Sequence, residues 1–224
     1  MTTLTRPIAP VRSGTRIKYA TEALGTFVLM FTVAAAVLGG SPLAPIAIGA
    51  VLMAVVYAGG HISGGHYNPA VTVAVLVRGR ITIAEAAGYI GAQIAGGLVA
   101  AVVANLCLAH PPTPPVTPSG HAMVAAVIAE MVFTFVLCFV VLNVATSKDH
   151  RDNSFYGLAI GFTVAAGAIA VGGISGAVFN PAVGIAGATI SMVTGTVAGI
   201  YVVVQLIAGV AAGLAFRALN PGDK

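Results

Sequence analysis

Asn68-Pro69-Ala70-Val71 recurs as Asn180-Pro181-Ala182-Val183, at equivalent places in the two halves of a chain that is apolar nearly throughout. Around these motifs Ile62-Ser63-Gly64 matches Ile174-Ser175-Gly176, and Tyr89 and Gln93 match Tyr201 and Gln205, all at a shift of 112 residues. Nearer the start of each half, Glu22, Thr26, Phe27, Val28 and Leu29 match Glu130, Thr134, Phe135, Val136 and Leu137 at a shift of 108. The chain is an internal duplication, with one loop four residues longer in the second copy. Two helix-start signals inside apolar sequence point to a pore.

With 58% hydrophobic residues, 7% charged residues and a mean hydropathy of +1.00, the surface cannot be that of a soluble domain. Runs of about twenty apolar residues cross a hydrocarbon core of about 30 Å as helix. Six are expected, at Tyr19–Leu38, Ala44–Tyr57, Ile83–Leu108, Ala122–Ala145, Phe155–Val171 and Thr194–Leu219. Asn68–Val77 and Asn180–Ser191 are apolar but about half a span long, which suits re-entrant half-helices. The layout is an all-α multi-pass membrane protein. Residues 1–18 form an N-terminal tail, 19–110 a first repeat, 111–119 a Pro-rich connector that cannot be helical, 120–218 a second repeat, and 219–224 a tail.

If six spans and two half-spans are threaded in order, all ten basic residues fall on one side of the bilayer. By the positive-inside rule both termini are then cytoplasmic, in a cell membrane. A pI of 9.3 is thereby explained without nucleic acid. The N-terminus, Arg-bearing and Pro-interrupted, is not a secretory signal. Cys107 and Cys138 lie within spans and are read as packing residues, leaving no disulfide framework or Cys-based metal site.

Three spans per repeat is an odd number, so the second copy crosses the membrane in the opposite direction. The product is a pair of inverted repeats related by an axis in the membrane plane. Asn is a good N-cap and Pro is favoured at the first helical position, so each motif starts a short helix. Inverted symmetry brings the two N-termini together near the midplane, where their positive dipole ends and two Asn amides repel cations. The preceding segments, Gly59 to His66 and Gly172 to Ala177, are expected to be non-helical. At this depth such backbone is tolerated where it is buried or lines an aqueous path, and its carbonyls would form a ladder of acceptors for a polar solute.

Ser63-Gly64-Gly65-His66-Tyr67-Asn68-Pro69-Ala70-Val71, the second Asn-Pro-Ala and the paired Glu-x-x-x-Thr-Phe resemble the aquaporin and glycerol-facilitator family, also called the major intrinsic protein family. The resemblance covers roughly residues 19 to 218. It implies a right-handed six-helix bundle with one pore per subunit and a homotetramer of four separate pores in the lipid bilayer. It also implies that Asn68, Pro69, Ala70, Asn180, Pro181 and Ala182 form the pore centre. Glu22 and Glu130 would brace the re-entrant loops by accepting backbone N–H bonds. A proton relay is the rival reading for intramembrane carboxylates, and their repeat symmetry argues against it. Gln93 and Gln205 are read as ties between helices or loops. His66 would support or line the inner vestibule together with His61, and the two histidines lack a third ligand for a metal.

Most members of that family carry Arg directly after the second Asn-Pro-Ala; here the residue is Val183. Counted back without gaps, the other outer-filter positions are Ile48, Ala168 and Ala177, so the expected ring is apolar. Gly184 stands where glycerol facilitators typically carry Asp. The expected function is a passive channel for water and small neutral solutes, with no cofactor and no enzymatic activity. Two alternatives stay open: a facilitator of glycerol, urea, ammonia, hydrogen peroxide or a metalloid hydroxide with little water selectivity, and a weakly conducting structural member. A secondary transporter would also use inverted repeats, but it would saturate and couple to an ion, and the intramembrane acids here read as structural.

Overall fold

A computed structural model describes residues 14–108 and 115–223. The tail to residue 13, the first part of the connector and Lys224 lie outside the described residues. The helices are α1 (Thr15–Leu38), α2 (Ala44–Ser63), α3 (Pro69–Arg78), α4 (Ile83–Cys107), α5 (Gly120–Val141), α6 (Tyr156–Ser175), α7 (Pro181–Thr189) and α8 (Gly195–Leu219). α5 continues as a π-helical turn, Leu142–Thr146, and a short 3-10 turn follows at Lys148–His150. Six of these helices are long and apolar enough to cross a membrane. α3 and α7 are the half-length elements.

Within each repeat the first helix packs on its neighbours: α1 on α2 and α4, α5 on α6 and α8. The repeats join where α2 meets α6 and where each half-helix lies against the last helix of the other copy, α3 on α8 and α7 on α4. Lipid tails are as apolar as the side chains, so tight approach of small residues supplies much of the association. A Cβ added at Gly97 would stand 3.2 Å from the Ala182 carbonyl oxygen, and one at its repeat partner Gly209 would run into that of Ala70.

Two long helices run further than the spacing of apolar residues suggests. α2 continues through Gly59 and Gly60 to Ser63, and α6 through Gly172 and Gly173 to Ser175. The stretches Gly59 to Ser63 and Gly172 to Ser175, expected to be non-helical, are helical. Glycine lowers helix propensity, but Gly59 is held by packing, with the Tyr67 ring and Thr21 filling the space a Cβ would need. Both helices stop where Gly64 (φ 95°) and Gly176 (φ 85°) enter the left-handed region and return their N–H to the carbonyls of Gly60 and Gly172, a conformation only glycine takes at little cost. The non-helical segments therefore reduce to residues 64–68 and 176–180.

The ends of the bundle differ in charge. Lys18 pairs with Glu85 at 3.7 Å, Arg78 and Arg80 both meet Asp223, and Arg217 donates to the Val77 carbonyl, so these cations gather at one end. At the other end Val116 of the connector donates to the Met192 carbonyl at 2.9 Å. Cys138 is buried; Cys107 is exposed, at the last position of α4, and is not the packing residue expected.

Candidate pore

Asn68 and Asn180 start the two half-helices and hold them against one another. Asn68 Oδ1 accepts from the Ala70 N–H at 2.8 Å, and Asn180 Oδ1 accepts from the Ala182 N–H at 3.0 Å. Pro69 and Pro181 follow at the first helical position. Each Asn amide donates across the repeats: Asn68 Nδ2 to the Phe179 carbonyl and Asn180 Nδ2 to the Tyr67 carbonyl, both at 2.9 Å. The helix N-termini therefore abut, and one amide hydrogen of each Asn stays available. Sequence alone did not show this exchange, because it depends on the carbonyl of the residue before the partner motif.

Each loop ahead of the motif hangs on a buried carboxylate. Glu22 Oε1 accepts from Ser63 Oγ (2.6 Å) and the His66 N–H (3.0 Å), while Oε2 accepts from the Tyr67 N–H (2.7 Å) and Gln93 Nε2 (2.8 Å). Glu130 repeats the pattern with Ser175 Oγ, the Val178 and Phe179 N–H groups and Gln205 Nε2, at 2.7 to 2.8 Å. Four donors satisfy each buried carboxyl group, whose burial without partners would be costly. Tyr89 and Tyr201 donate to the Ser63 and Ser175 carbonyls at 2.6 and 2.9 Å, closing the C-terminal ends of α2 and α6. Tyr67 (φ 50°) and Phe179 (φ 48°) occupy the left-handed region in both copies, and Ala177 (φ 52°) takes the conformation that Gly65 (φ 63°) takes in the first. Among the described residues, no protein donor reaches the carbonyls of residues 64–66 or 176–178.

The two halves diverge beside the first motif. Thr72 donates to the Asn68 carbonyl and accepts from Gln93 Nε2 at 2.9 Å. Its one hydroxyl hydrogen is thus engaged, so at 3.1 Å the His66 ring donates through Nδ1, and a neutral ring would then keep Nε2 as an acceptor. In the second half Val178 and Gly184 replace His66 and Thr72, and the polar cluster has no counterpart.

One cavity of about 310 Å³ collects these groups. Its lining includes Asn68 and Asn180, the loop residues Gly65, His66, Tyr67, Gly176, Val178 and Phe179, and all four of Ile48, Ala168, Ala177 and Val183. No Lys, Arg, Asp or Glu is among its lining residues. Val116 and Met192 also line it, a contribution the Pro-rich connector gave no sign of in the sequence. His66 and Val141 border both this cavity and a second one at the charged end, which His61 lines with Lys18, Arg80 and Glu85. His61 and His66 therefore stand at different depths of one path.

Known proteins resemble this chain in both sequence and shape. The sequence matches the description of the major intrinsic protein family over residues 11–171 and again over residues 121–223, the overlap expected of an internal repeat. Aquaporin NIP1-4 of Oryza sativa subsp. japonica is 40% identical over 171 residues, 72% of this chain and 62% of that protein, so the chain spans less than two thirds of its length. Glycerol uptake facilitator protein-like 6 of Lactiplantibacillus plantarum is 40% identical over 177 residues, 74% of this chain and 80% of that one. The aquaglyceroporin of Plasmodium falciparum shares the fold, with a TM-score of 0.79 over 93% of this chain and 98% of that one at 19% identity.

Proposed function

Because the chain belongs to the major intrinsic protein family, whose members are membrane channels and not enzymes, we propose that it conducts water and other small uncharged solutes passively through an outer filter without a cation. The observation that carries this reading is the shared cavity. It joins both Asn amides to Ile48, Ala168, Ala177 and Val183 and has no Lys, Arg, Asp or Glu in its lining.

A solute entering past those four side chains finds few groups to replace its hydrogen bonds to water, so ions stay out by dehydration cost. Deeper in, the free carbonyls of the two loops and the remaining N–H of Asn68 and Asn180 offer acceptors and donors to a neutral solute. The abutting N-termini of α3 and α7 set positive partial charge at the centre and oppose cations. Val183 in place of Arg removes a further electrostatic barrier and a bulky side chain. Width then admits solutes larger than water, in keeping with a relative named as a glycerol uptake facilitator. Glu22 and Glu130 act as braces, and Gln93 and Gln205 as their ties. Four copies assemble with a pore in each, with both termini on the cytoplasmic side of a cell membrane, where the basic residues lie.

The test is stopped-flow light scattering on proteoliposomes. Fast shrinkage in an impermeant osmolyte followed by fast re-swelling in glycerol and urea is expected. Fast shrinkage without re-swelling would show a filter that selects water by size, and no flux above empty vesicles would overturn the channel reading. Cross-linking in native membranes reports the assembly.

A further inference from the structure

The geometry points to a second site, for the phosphate group of an anion, at the charged mouth of the pore. A cavity of about 460 Å³ there is lined by Arg80, Lys148, Arg151, His61 and His150, with no carboxylate among its lining residues. It shares Gly60, His61, Gly64, Arg80, Ala145 and Thr146 with the neighbouring vestibule that leads to His66. It therefore opens onto the conduction path as well as onto the protein surface.

The cations around it are positioned and not fully neutralised. Arg80 donates to Asp223 Oδ1 at 3.2 Å, but the same oxygen takes Arg78 at 2.7 Å, so one carboxylate serves two guanidinium groups. Arg80 is 41% exposed in its side chain while Asp223 is 3% exposed, and among the described residues the Arg80 guanidinium meets no carboxylate but Asp223. Lys148 is steered by its contact with the Gly222 carbonyl at 2.8 Å and by its own N–H to Asp223 Oδ2 at 2.9 Å. His150 is anchored through Nδ1 to the Asn143 carbonyl at 3.1 Å, in a loop that Asn153 ties to the Val144 carbonyl at 2.7 Å. Arg151 meets no carboxylate within ion-pair distance among the described residues. Asp149 and Asp152 are exposed on the same loop and do not line the cavity.

Three permanent cations converging with two imidazoles on one concave surface suit a phosphate, which takes several charge-assisted hydrogen bonds at once. Ordinary orientation of a membrane protein asks only that basic residues lie on the inner side; it does not require them around a cavity at the pore mouth. An occupant there sits beside His61 and obstructs the vestibule. The phosphate could come from a soluble anion or from a lipid headgroup, and the chemistry recognised is the same.

Pyrophosphate at constant ionic strength is the probe, titrated calorimetrically into the full-length protein in nanodiscs of zwitterionic lipid. Saturable binding is expected, weakened roughly tenfold or more in the double variant Lys148→Gln, Arg151→Gln. Arg217→Gln, which lines neither this cavity nor the vestibule, should bind as the wild type does. Equal affinity in the double variant, or heat that follows ionic strength without saturating, would overturn the site. Repeating the titration in nanodiscs containing acidic phospholipid separates the sources: unchanged binding assigns a soluble anion, and lost binding assigns the headgroup. Binding is read without flux, so its failure is distinct from failure of the channel reading. In proteoliposomes the same anion should slow shrinkage of the wild type and leave the double variant untouched.

Discussion

Gly49 of α2 and Gly161 of α6 occupy the same position of the two repeats and meet backbone to backbone. A Cβ on Gly49 would stand 2.6 Å from the Gly161 carbonyl oxygen, and one on Gly161 would run into the Gly49 carbonyl. A contact that is its own reciprocal marks where the pseudo-twofold axis passes between the halves. Carbonyls of packed helices cannot swing aside as a side-chain end can. Gly161→Ala should therefore destabilise the protein by about 1–3 kcal/mol. Gly199→Ala in α8, where nothing lies within 4 Å, should be neutral or slightly favourable. Unfolding in mixed micelles compares the two, and equal stabilities would refute the close approach.

Glu22 and Glu130 are buried carboxylates, each accepting from four donors. Glutamine at either place turns two acceptor sites into donors that face N–H groups. Each stranded donor costs on the order of 1–3 kcal/mol. Glu22→Gln and Glu130→Gln should both lower thermal stability and yield, by similar amounts because the braces are equivalent. Molecules that do assemble should show the proton leak of the wild type in dye-loaded proteoliposomes. A stable variant with altered proton flux would revive the relay.

Sequence shows the architecture where chemistry repeats: a Pro after an Asn, a Glu and a Gln at matched shifts, basic residues between alternate spans. It hides what depends on helix ends and on chain meeting chain. Glycine runs read as breaks, yet Gly59 and Gly172 are helical, because packing and a left-handed Gly64 or Gly176 decide where α2 and α6 stop. The contribution of Val116 to the pore cavity arises from one bridge to Val193 across the chain, with no local pattern to announce it. Asp223 lies in a short polar tail whose composition gives no hint that it gathers Arg78, Arg80 and the Lys148 N–H.

That Asp223 junction carries a pH dependence of defined sign. The Lys148 backbone N–H, reinforced by Ser147 and Arg78, holds the Asp223 carboxyl below its ordinary value of 3.8. A depressed carboxyl contributes stability that is fully present above the unfolded value and is lost as pH falls through the folded one. Docking of the C-terminal tail, followed by protease protection, should be level from neutral pH to near pH 4 and weaken only in stronger acid. Asp223→Asn should expose the tail at neutral pH, and its difference from the wild type should vanish at the acid end. A transition centred at neutral pH would point to another group.

In the proposed channel Val183 is the residue on which selectivity should turn. It lines the cavity with Ile48, Ala168 and Ala177, at the first turn of α7, where its N–H faces Asn180 Oδ1 at 3.5 Å. Val183→Arg would bring a guanidinium to a ring of two alanines and an isoleucine, narrowing it and adding donors that water satisfies better than glycerol does. Re-swelling in glycerol and urea should fall roughly tenfold or more relative to water flux. Val183→Thr keeps the width and adds one hydroxyl, so its solute ratios should stay within a few-fold of the wild type. If the Arg variant folds, as judged by its thermal transition, and keeps the wild-type ratio of glycerol to water, the filter lies elsewhere along the path and the apolar ring is not what sets selectivity.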